Sequence, residues 1–258
     1  MSGRLSMGRH SMLGFIHLQK TAGITVTWIL RSSYGPRHLD LPPPRYLADP
    51  VLTARELEYW SRLYGNLKSF RGHSVVPYVD VDRVFPEIDF FTLFRDPVKR
   101  MASWFQFQVQ QKRSGRQPDV TPENLFEKFQ EWIQQESRHN WQTRRIAGKV
   151  DIDAAIKIIR DKDIFVGLVE SFDESMLLLK GLVSRDLNIA YRRRNVAMAN
   201  TMAQTLLESE RARRLLVEAN QVDLQLYEYV RTELYPGYRQ AYGASLQDDL
   251  ETYRASSK

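Results

Sequence analysis

The chain has 258 residues, 43% of them hydrophobic and 26% charged, with a formal net charge of +6 at pH 7 and no cysteine. The absence of cysteine excludes disulfide bonds, thiolate zinc sites, iron–sulfur clusters and a cysteine nucleophile. This length and composition are typical of one folded domain with a sizeable core. We expect a flexible tail over residues 1–11 and a single domain over residues 12–258.

The location of the protein is also predicted from what the sequence lacks. No apolar run approaches the roughly 18–20 residues that span a bilayer, and the first residues lack the apolar core of a signal peptide. We therefore expect a cytoplasmic protein without a transmembrane segment. The basic composition, with a pI of about 9.5, favours anionic partners.

Short apolar runs alternate with helical patterns along the first half of the chain. Residues 12–17 are typical of a buried parallel strand, and a turn of small residues at 18–25 leads into a helix body at 26–30. A proline-rich loop covers 41–45. A capping box then opens a helix with core residues at Leu57, Trp60 and either Leu63 or Tyr64.

Two further strands are predicted at 70–76 and 88–94, and Asp96 with Pro97 begins a helix that runs to about residue 111. The rest is mainly helical, apart from a strand at 164–169. The predicted helices start at Thr121-Pro122 and cover 153–160, 175–183, 201–219 and 222–234. This order predicts an α/β, P-loop-like three-layer fold, with a central parallel sheet flanked by helices and a helix-rich C-terminal half.

The turn after the first strand has the features of an anion site. Residues 14–21 nearly fit the spacing of a nucleotide P-loop, with Gln19 in place of the second glycine. Backbone N–H groups at a helix N-terminus, the Lys20 charge and the hydroxyls of Thr21 and Thr25 would all favour an anion there. The alternative is a surface turn capped by Thr25, with a solvated lysine.

A second cationic segment follows the strand at 88–94. Arg95 leaves the strand end, where its planar guanidinium can bind a phosphate in bidentate fashion. Arg100 and Ser103 are neighbours on one helix face. The alternative is that Arg95 simply pairs with Asp96 at a helix start.

Together the two segments resemble the sulfotransferase superfamily, and within it the family-2 enzymes, which include carbohydrate-type members. Their His-x-Pro-Lys-Thr-Gly-Gly-Thr loop corresponds to residues 17–25, with Gln19, Ala22 and Ile24 as departures. Their Arg-x-Pro-x-x-Arg-x-x-Ser-x-Tyr/Phe motif is complete at 95–105. Further similarities occur in order at Gly72-His73, 140–144, Gly148, 165–170 and 223–227, so the resemblance spans about residues 12–235.

The resemblance implies transfer of a sulfuryl group from 3′-phosphoadenosine 5′-phosphosulfate (PAPS) to an acceptor hydroxyl, without a metal. The acceptor would be a saccharide, a glycolipid or another small hydroxyl compound. Lys20 would neutralise the departing 5′-phosphate, while Arg95 and Ser103 would bind the 3′-phosphate. The other residues expected at the donor site are Thr21, Ala22, Gly23, Ile24, Thr25 and, in a lid over the nucleotide, Arg193.

A hydroxyl acceptor needs a general base, which favours histidine. His73 follows a predicted strand end where the family places an acceptor-side histidine, although a structural role is an open alternative. His17 either orients the loop or packs at the strand end, and His139 is a lesser candidate. Asn140, Gln142 and Arg144 either contact the substrates or close the site by structural hydrogen bonds. Arg193 belongs either to the lid or to a solvated basic turn.

Two other functions are compatible with parts of the sequence. A P-loop ATP-dependent kinase is favoured by the near-P-loop spacing, and disfavoured by Gln19 and by the lack of a metal-binding aspartate at a strand end. A non-enzymatic binder of nucleic acid or another polyanion is favoured by the high pI alone, because no nucleic-acid recognition motif accompanies it. We therefore expect no nucleic-acid partner. The sequence does not indicate the oligomeric state.

Overall fold

The structure, a computed structural model, describes residues 12–41, 51–83, 85, 87–111, 120–191 and 201–256. Within these residues there are five strands: β1 (Met12–Ile16), β2 (His38–Asp40), β3 (Ser69–Gly72), β4 (Ile88–Phe94) and β5 (Phe165–Leu168). They form one sheet in the order β2-β3-β1-β4-β5, and every neighbouring pair is parallel. The helices flank this sheet, so the predicted three-layer α/β fold is confirmed.

The described helices are concentrated after β4, as the sequence predicts. They are α1 (Gly23–Tyr34), α2 (Ala54–Tyr64), α3 (Pro97–Gln110), α4 (Leu125–Ile133), α5 (Trp141–Ala147), α6 (Ile152–Asp161), α7 (Phe172–Leu182), α8 (Thr201–Glu208), α9 (Glu210–Glu218), α10 (Gln221–Tyr229), α11 (Tyr235–Tyr242) and α12 (Leu246–Ser256). No helix in the described part of the chain is long and apolar enough to cross a membrane.

The central strands β1 and β4 carry the core of the sheet. Almost every side chain on them is buried, as expected for parallel strands covered on both faces. Gly14 permits their close approach, because a Cβ at this position would lie 2.7 Å from the ring of Phe90. A second apolar cluster, which includes Met101, Phe105 and Phe129, joins α3 to α4, α8 and α9.

The order of the strands places a crevice between β1 and β4. From β1 the chain continues to β2 at one edge of the sheet, whereas from β4 it continues to β5 at the other edge. Such a reversal opens a crevice at the carboxyl ends of the two strands, where α/β proteins bind their ligands. The segments after β1 and β4 are the two cationic segments singled out in the sequence.

Several sequence predictions are wrong in detail. The α2 capping box at Thr53 is present, but Leu63 is 63% exposed and Tyr64 39% exposed, so only Leu57 of its predicted core residues is buried. The predicted helix at 201–219 is two helices, because the Ser209 side chain caps α9. β2, α11 and α12 were not predicted. The predicted tail, most of the proline-rich loop and Arg193 lie outside the described residues.

Candidate functional site

The turn between β1 and α1 has an unusual backbone. Lys20 and Ala22 both have positive φ angles, of 66° and 61°, a conformation that turns successive N–H groups toward a common side and can form an anion-binding concavity. The backbone N–H groups of Ala22, Gly23 and Ile24 donate no hydrogen bond to any described residue. These three donors and the charged side chain of Lys20 belong to one short segment, residues 17–25, which we call the β1 loop.

The hydroxyls of the β1 loop differ in their availability. Thr21 is completely buried, and its Oγ1 donates to the carbonyl of Leu18 at 2.9 Å. Its hydroxyl proton is therefore used within the loop. Thr25 is half-buried, and its hydroxyl bonds to no described residue. Of the two predicted hydroxyl donors, Thr25 is the one whose proton is not already committed.

Lys20 lies above an aromatic ring on α3. Its Nζ is 4.2 Å from the centroid of Phe107, a cation–π contact. Burial lowers the pKa of Lys20, and the positive charge of Arg95 lowers it further. Phe107 was not identified from the sequence; its 39% exposure at the edge of the crevice becomes informative only when the structure brings it to Lys20.

Arg95 brings the second segment to the first. Its Nη1 donates to the carbonyl of Lys20 at 3.2 Å, so the two cationic side chains share one crevice. Burial lowers the pKa of the Arg95 guanidinium, while Glu170 and Asp96 raise it. Neither Lys20 nor Arg95 has a carboxylate within ion-pair distance among the described residues. The predicted meeting of the two segments is therefore present in the structure.

The start of α3 is held by side chains from distant parts of the chain. The amide of Gln142 accepts from the backbone N–H of Arg95 and donates to its carbonyl, both at 3.0 Å. The Glu170 carboxylate accepts from the N–H of Asp96 at 3.1 Å, and Tyr227 donates to the same carboxylate at 2.9 Å. Asp96 in turn accepts from the N–H of Lys99. The backbone donors at 95, 96 and 99 are thus already satisfied within the protein.

Two buried residues of opposite charge, Arg100 and Asp223, interact electrostatically near this helix start. Arg100 is completely buried, and none of its guanidinium nitrogens hydrogen-bonds to a described residue. Burial lowers the pKa of Arg100 to about 10, against the opposing effect of Asp223. Ser103, one turn further along α3, is half-buried, and its hydroxyl makes no hydrogen bond with a described residue. Among the described residues, the side-chain donors that remain on the α3 side include the Ser103 hydroxyl, the unused N–H groups of Arg95 and the buried guanidinium of Arg100.

Helices α5 and α10 cap each other. Asp223 accepts from the N–H groups of Gln142 and Thr143 and from the Thr143 hydroxyl, at 2.9, 2.7 and 2.7 Å. In return, Asn140 Oδ1 accepts from the N–H groups of Val222 and Asp223. Burial raises the pKa of Asp223, while Arg100 and these hydrogen bonds lower it. The side chains of Asn140 and Gln142 thus make structural hydrogen bonds, as the alternative prediction had it. Their contact with a substrate stays a prediction.

The remaining predicted residues have distinct surroundings. The Nε of Arg144 is buried without a partner among the described residues, and His139 Nε2 lies 2.6 Å from the carbonyl of Ile133. His139 is therefore used in the α4–α5 connection. Ile24 is 64% exposed at the start of α1. The roles predicted for Arg144 and Ile24 stay predictions.

Two histidines stack beside the β1 loop. The rings of His17 and His73 are 4.2 Å apart, and His73 Nδ1 lies 2.9 Å from the carbonyl of His17. Because a carbonyl only accepts, the neutral His73 ring carries its proton on Nδ1 and keeps its Nε2 lone pair free. Partial burial lowers the pKa of His73, the His17 carbonyl raises it, and Arg71 and Arg145 lower it. His73 thus presents an unprotonated nitrogen on an exposed residue.

Comparison with known proteins gives no match for this chain, either among models of protein families or among curated proteins. The resemblance to sulfotransferases stays a prediction that rests on the motifs. The fold is shown by the strand order.

Proposed function

We propose that the protein is a sulfotransferase that moves a sulfuryl group from PAPS to an acceptor hydroxyl. The observation that carries this proposal is the contact between Arg95 and the Lys20 backbone, because it joins two cationic segments in the crevice between β1 and β4. A nucleotide with phosphates at its 3′ and 5′ positions needs two adjacent anion sites of this kind. The cytoplasmic location stays a prediction from the sequence.

The two sides of the crevice suit different parts of this donor. The β1 loop offers three open backbone N–H groups and Lys20, which suit the 5′-phosphosulfate end, where charge develops on the departing phosphate. Arg95 and Ser103 offer side-chain donors for the 3′-phosphate. Ala22, Gly23 and Ile24 would act through their backbones, so the departures of Ala22 and Ile24 from the family motif preserve the groups that bind.

The reaction needs one proton acceptor and one stabiliser of negative charge. The acceptor oxygen would attack sulfur in line with the bridging oxygen, and the bond between sulfur and that oxygen would break. The electron pair would stay on the 5′-phosphate, opposite Lys20 and the open N–H groups. The hydroxyl proton would pass to the free Nε2 of His73, which is adjacent to the loop through its stacking on His17.

A P-loop kinase is the second candidate, favoured by the lysine and helix start after β1. In P-loop proteins the hydroxyl after the lysine binds Mg²⁺. Here that hydroxyl belongs to Thr21, which is completely buried and donates to Leu18. The complete burial of this hydroxyl, rather than its hydrogen bond, disfavours the kinase, because a solvated Mg²⁺ would have to reach it.

The test is a titration of the purified protein with adenosine 3′,5′-bisphosphate, alongside adenosine 5′-monophosphate and ATP with Mg²⁺. We expect the bisphosphate to bind at least tenfold more tightly than the monophosphate, because only it reaches both sides of the crevice. Arg95→Ala should weaken bisphosphate binding by about 10–100-fold, the range for loss of a hydrogen-bonded charge. Lys99→Ala, which removes an exposed cation from the same helix, is the matched control and should change binding less than threefold.

Transfer itself is measured with sulfur-labelled PAPS and a panel of saccharides and small hydroxyl compounds. Labelled product that disappears in Lys20→Ala and remains in Lys99→Ala supports the proposal. Failure of the bisphosphate to bind, or phosphorylation of an acceptor that requires ATP and Mg²⁺, would overturn it.

A further inference from the structure

Arg71, at the end of β3, contacts a carboxylate on one side and an imidazole on the other. Its Nε donates to Asp40 in a close ion pair, and its Nη1 lies 3.0 Å from Nδ1 of His17. Arg31 binds the same carboxylate from α1, with Nε at 2.7 Å from Asp40 Oδ2. Two arginines therefore bind Asp40, but only Arg71 also reaches a histidine.

The contact with Arg71 determines which nitrogen of His17 carries the proton. A guanidinium has only N–H donors, so Nδ1 of His17 must accept. A neutral imidazole carries one N–H, which must then be on Nε2. Burial lowers the pKa of His17 to about 3, with contributions in the same direction from His73 and Arg71 and an opposing one from Asp40. The ring is therefore neutral at physiological pH and carries a single N–H, on one of its two nitrogens.

Nε2 of His17 faces the β1 loop. A Cβ at Gly23 would lie only 1.6 Å from this nitrogen, so the ring edge is packed against the backbone that carries the open N–H groups. The ring plane is fixed by stacking on Phe15, at 5.3 Å, and on His73, at 4.2 Å. No described residue hydrogen-bonds to Nε2.

We propose that Arg71 is a positioning residue that fixes His17 as its Nε2–H tautomer, so that the ring presents a donor to an anion held by the β1 loop. With the opposite tautomer, a lone pair would face that anion and repel it. The anion-binding part of this inference rests on the proposed function, whereas the tautomer follows from the Arg71 contact alone. The glycine at 23 serves the same arrangement by leaving room for the ring edge.

The test compares Arg71→Met with Arg31→Met, which also removes a guanidinium from Asp40 but leaves the His17 contact intact. The tautomer is measured from the nitrogen chemical shifts of ¹⁵N-labelled imidazole rings at neutral pH. We expect the Nε2–H pattern for His17 in the unmodified protein and in Arg31→Met, and a shift toward Nδ1–H in Arg71→Met.

A spectrum of the unmodified protein with His17 as Nδ1–H would overturn the proposal without any variant, which covers the case in which Arg71→Met fails to fold. An unchanged His17 tautomer in Arg71→Met would also overturn it, as would the same shift in both variants. The second measurement is the dissociation constant of adenosine 3′,5′-bisphosphate. We expect it to rise about tenfold in Arg71→Met and less than twofold in Arg31→Met.

The two measurements separate this inference from the proposed function. If no form of the protein binds the bisphosphate, the sulfotransferase proposal fails, while the nitrogen shifts still decide whether Arg71 fixes the tautomer. If the tautomer changes and bisphosphate binding does not, the role of the Nε2–H in anion binding is overturned.

Discussion

The two sides of the crevice are built in different ways. On the β1 side, the loop keeps three backbone N–H groups open and holds its shape with two residues of positive φ, Lys20 and Ala22. On the α3 side, Gln142, Glu170 and Asp96 satisfy the backbone donors of residues 95, 96 and 99. An anion on the first side would meet three backbone N–H groups beside Lys20, whereas on the second side it would meet mainly the side chains of Arg95 and Ser103. A helix N-terminus after a parallel strand is thus not in itself an anion site; its donors must also be free.

This contrast predicts that stability depends mainly on the α3 side. Asp223→Asn removes the carboxylate whose charge acts on the buried Arg100, and it disturbs the capping of α5. Loss of a buried carboxylate that accepts three hydrogen bonds and opposes a buried cation is expected to lower the free energy of unfolding, measured with urea, by about 3 kcal/mol. Glu228→Gln, on the exposed part of the same helix, should cost less than about 0.5 kcal/mol. Equal effects of the two substitutions would contradict the role given to Asp223.

Lys20 and Arg95 should affect different quantities, the first the rate of transfer and the second the affinity for the nucleotide. Lys20→Met removes the charge opposite the departing phosphate, and we expect kcat to fall about 10²–10³-fold, as for loss of one donor that stabilises a developing anion. Arg95→Met should instead raise the dissociation constant of adenosine 3′,5′-bisphosphate by about 10–100-fold and change kcat by less than tenfold. Steady-state rates with PAPS and titrations with the bisphosphate measure both quantities. If both variants change the same quantity, the division of roles is wrong.

Acidification should lower the free energy of unfolding mainly through buried histidines, among them His17 in the β1 loop and His38 on β2. Burial lowers the pKa of His17 to about 3 and that of His38 to about 4, the latter against the effect of Asp40. The unfolded histidines, with an ordinary pKa near 6.5, therefore bind more protons than the folded ones between about pH 4 and pH 6.5. The free energy of unfolding should be highest above pH 6.5 and should fall by about 1.4 kcal/mol per pH unit for each histidine below it.

Urea unfolding at several pH values measures this slope. His17→Asn should reduce it by about 1.4 kcal/mol per pH unit, while His38 and His73, whose pKa is also lowered, would still contribute. A slope that stays the same in this variant would show that other groups cause the loss of stability.

Local patterns were sufficient to predict β1, β4 and the two cationic segments, because short apolar runs and turn residues act over a few positions. They also predicted that the segments meet, since parallel strands end at one edge of the sheet. They did not reveal the roles of Asn140 and Gln142 in the fold. Gln142 binds Arg95, which is 47 positions away, and its own N–H is capped by Asp223, which is 81 positions away. Nothing in a local sequence pattern specifies such pairs.

The smallest expected effect concerns the shape of the β1 loop itself. Ala22 has φ 61° and ψ 19°, a left-handed conformation that costs an L-residue with a Cβ about 1 kcal/mol relative to glycine. Ala22→Gly should therefore raise the free energy of unfolding by up to about 1 kcal/mol, reduced by the greater freedom of glycine in the unfolded chain. Ala154→Gly, within α6, is the control and should lower it by about 1 kcal/mol. Opposite signs in urea unfolding would support a preformed loop, whereas a loss of stability in both variants would mean that Ala22 is not held in the left-handed region.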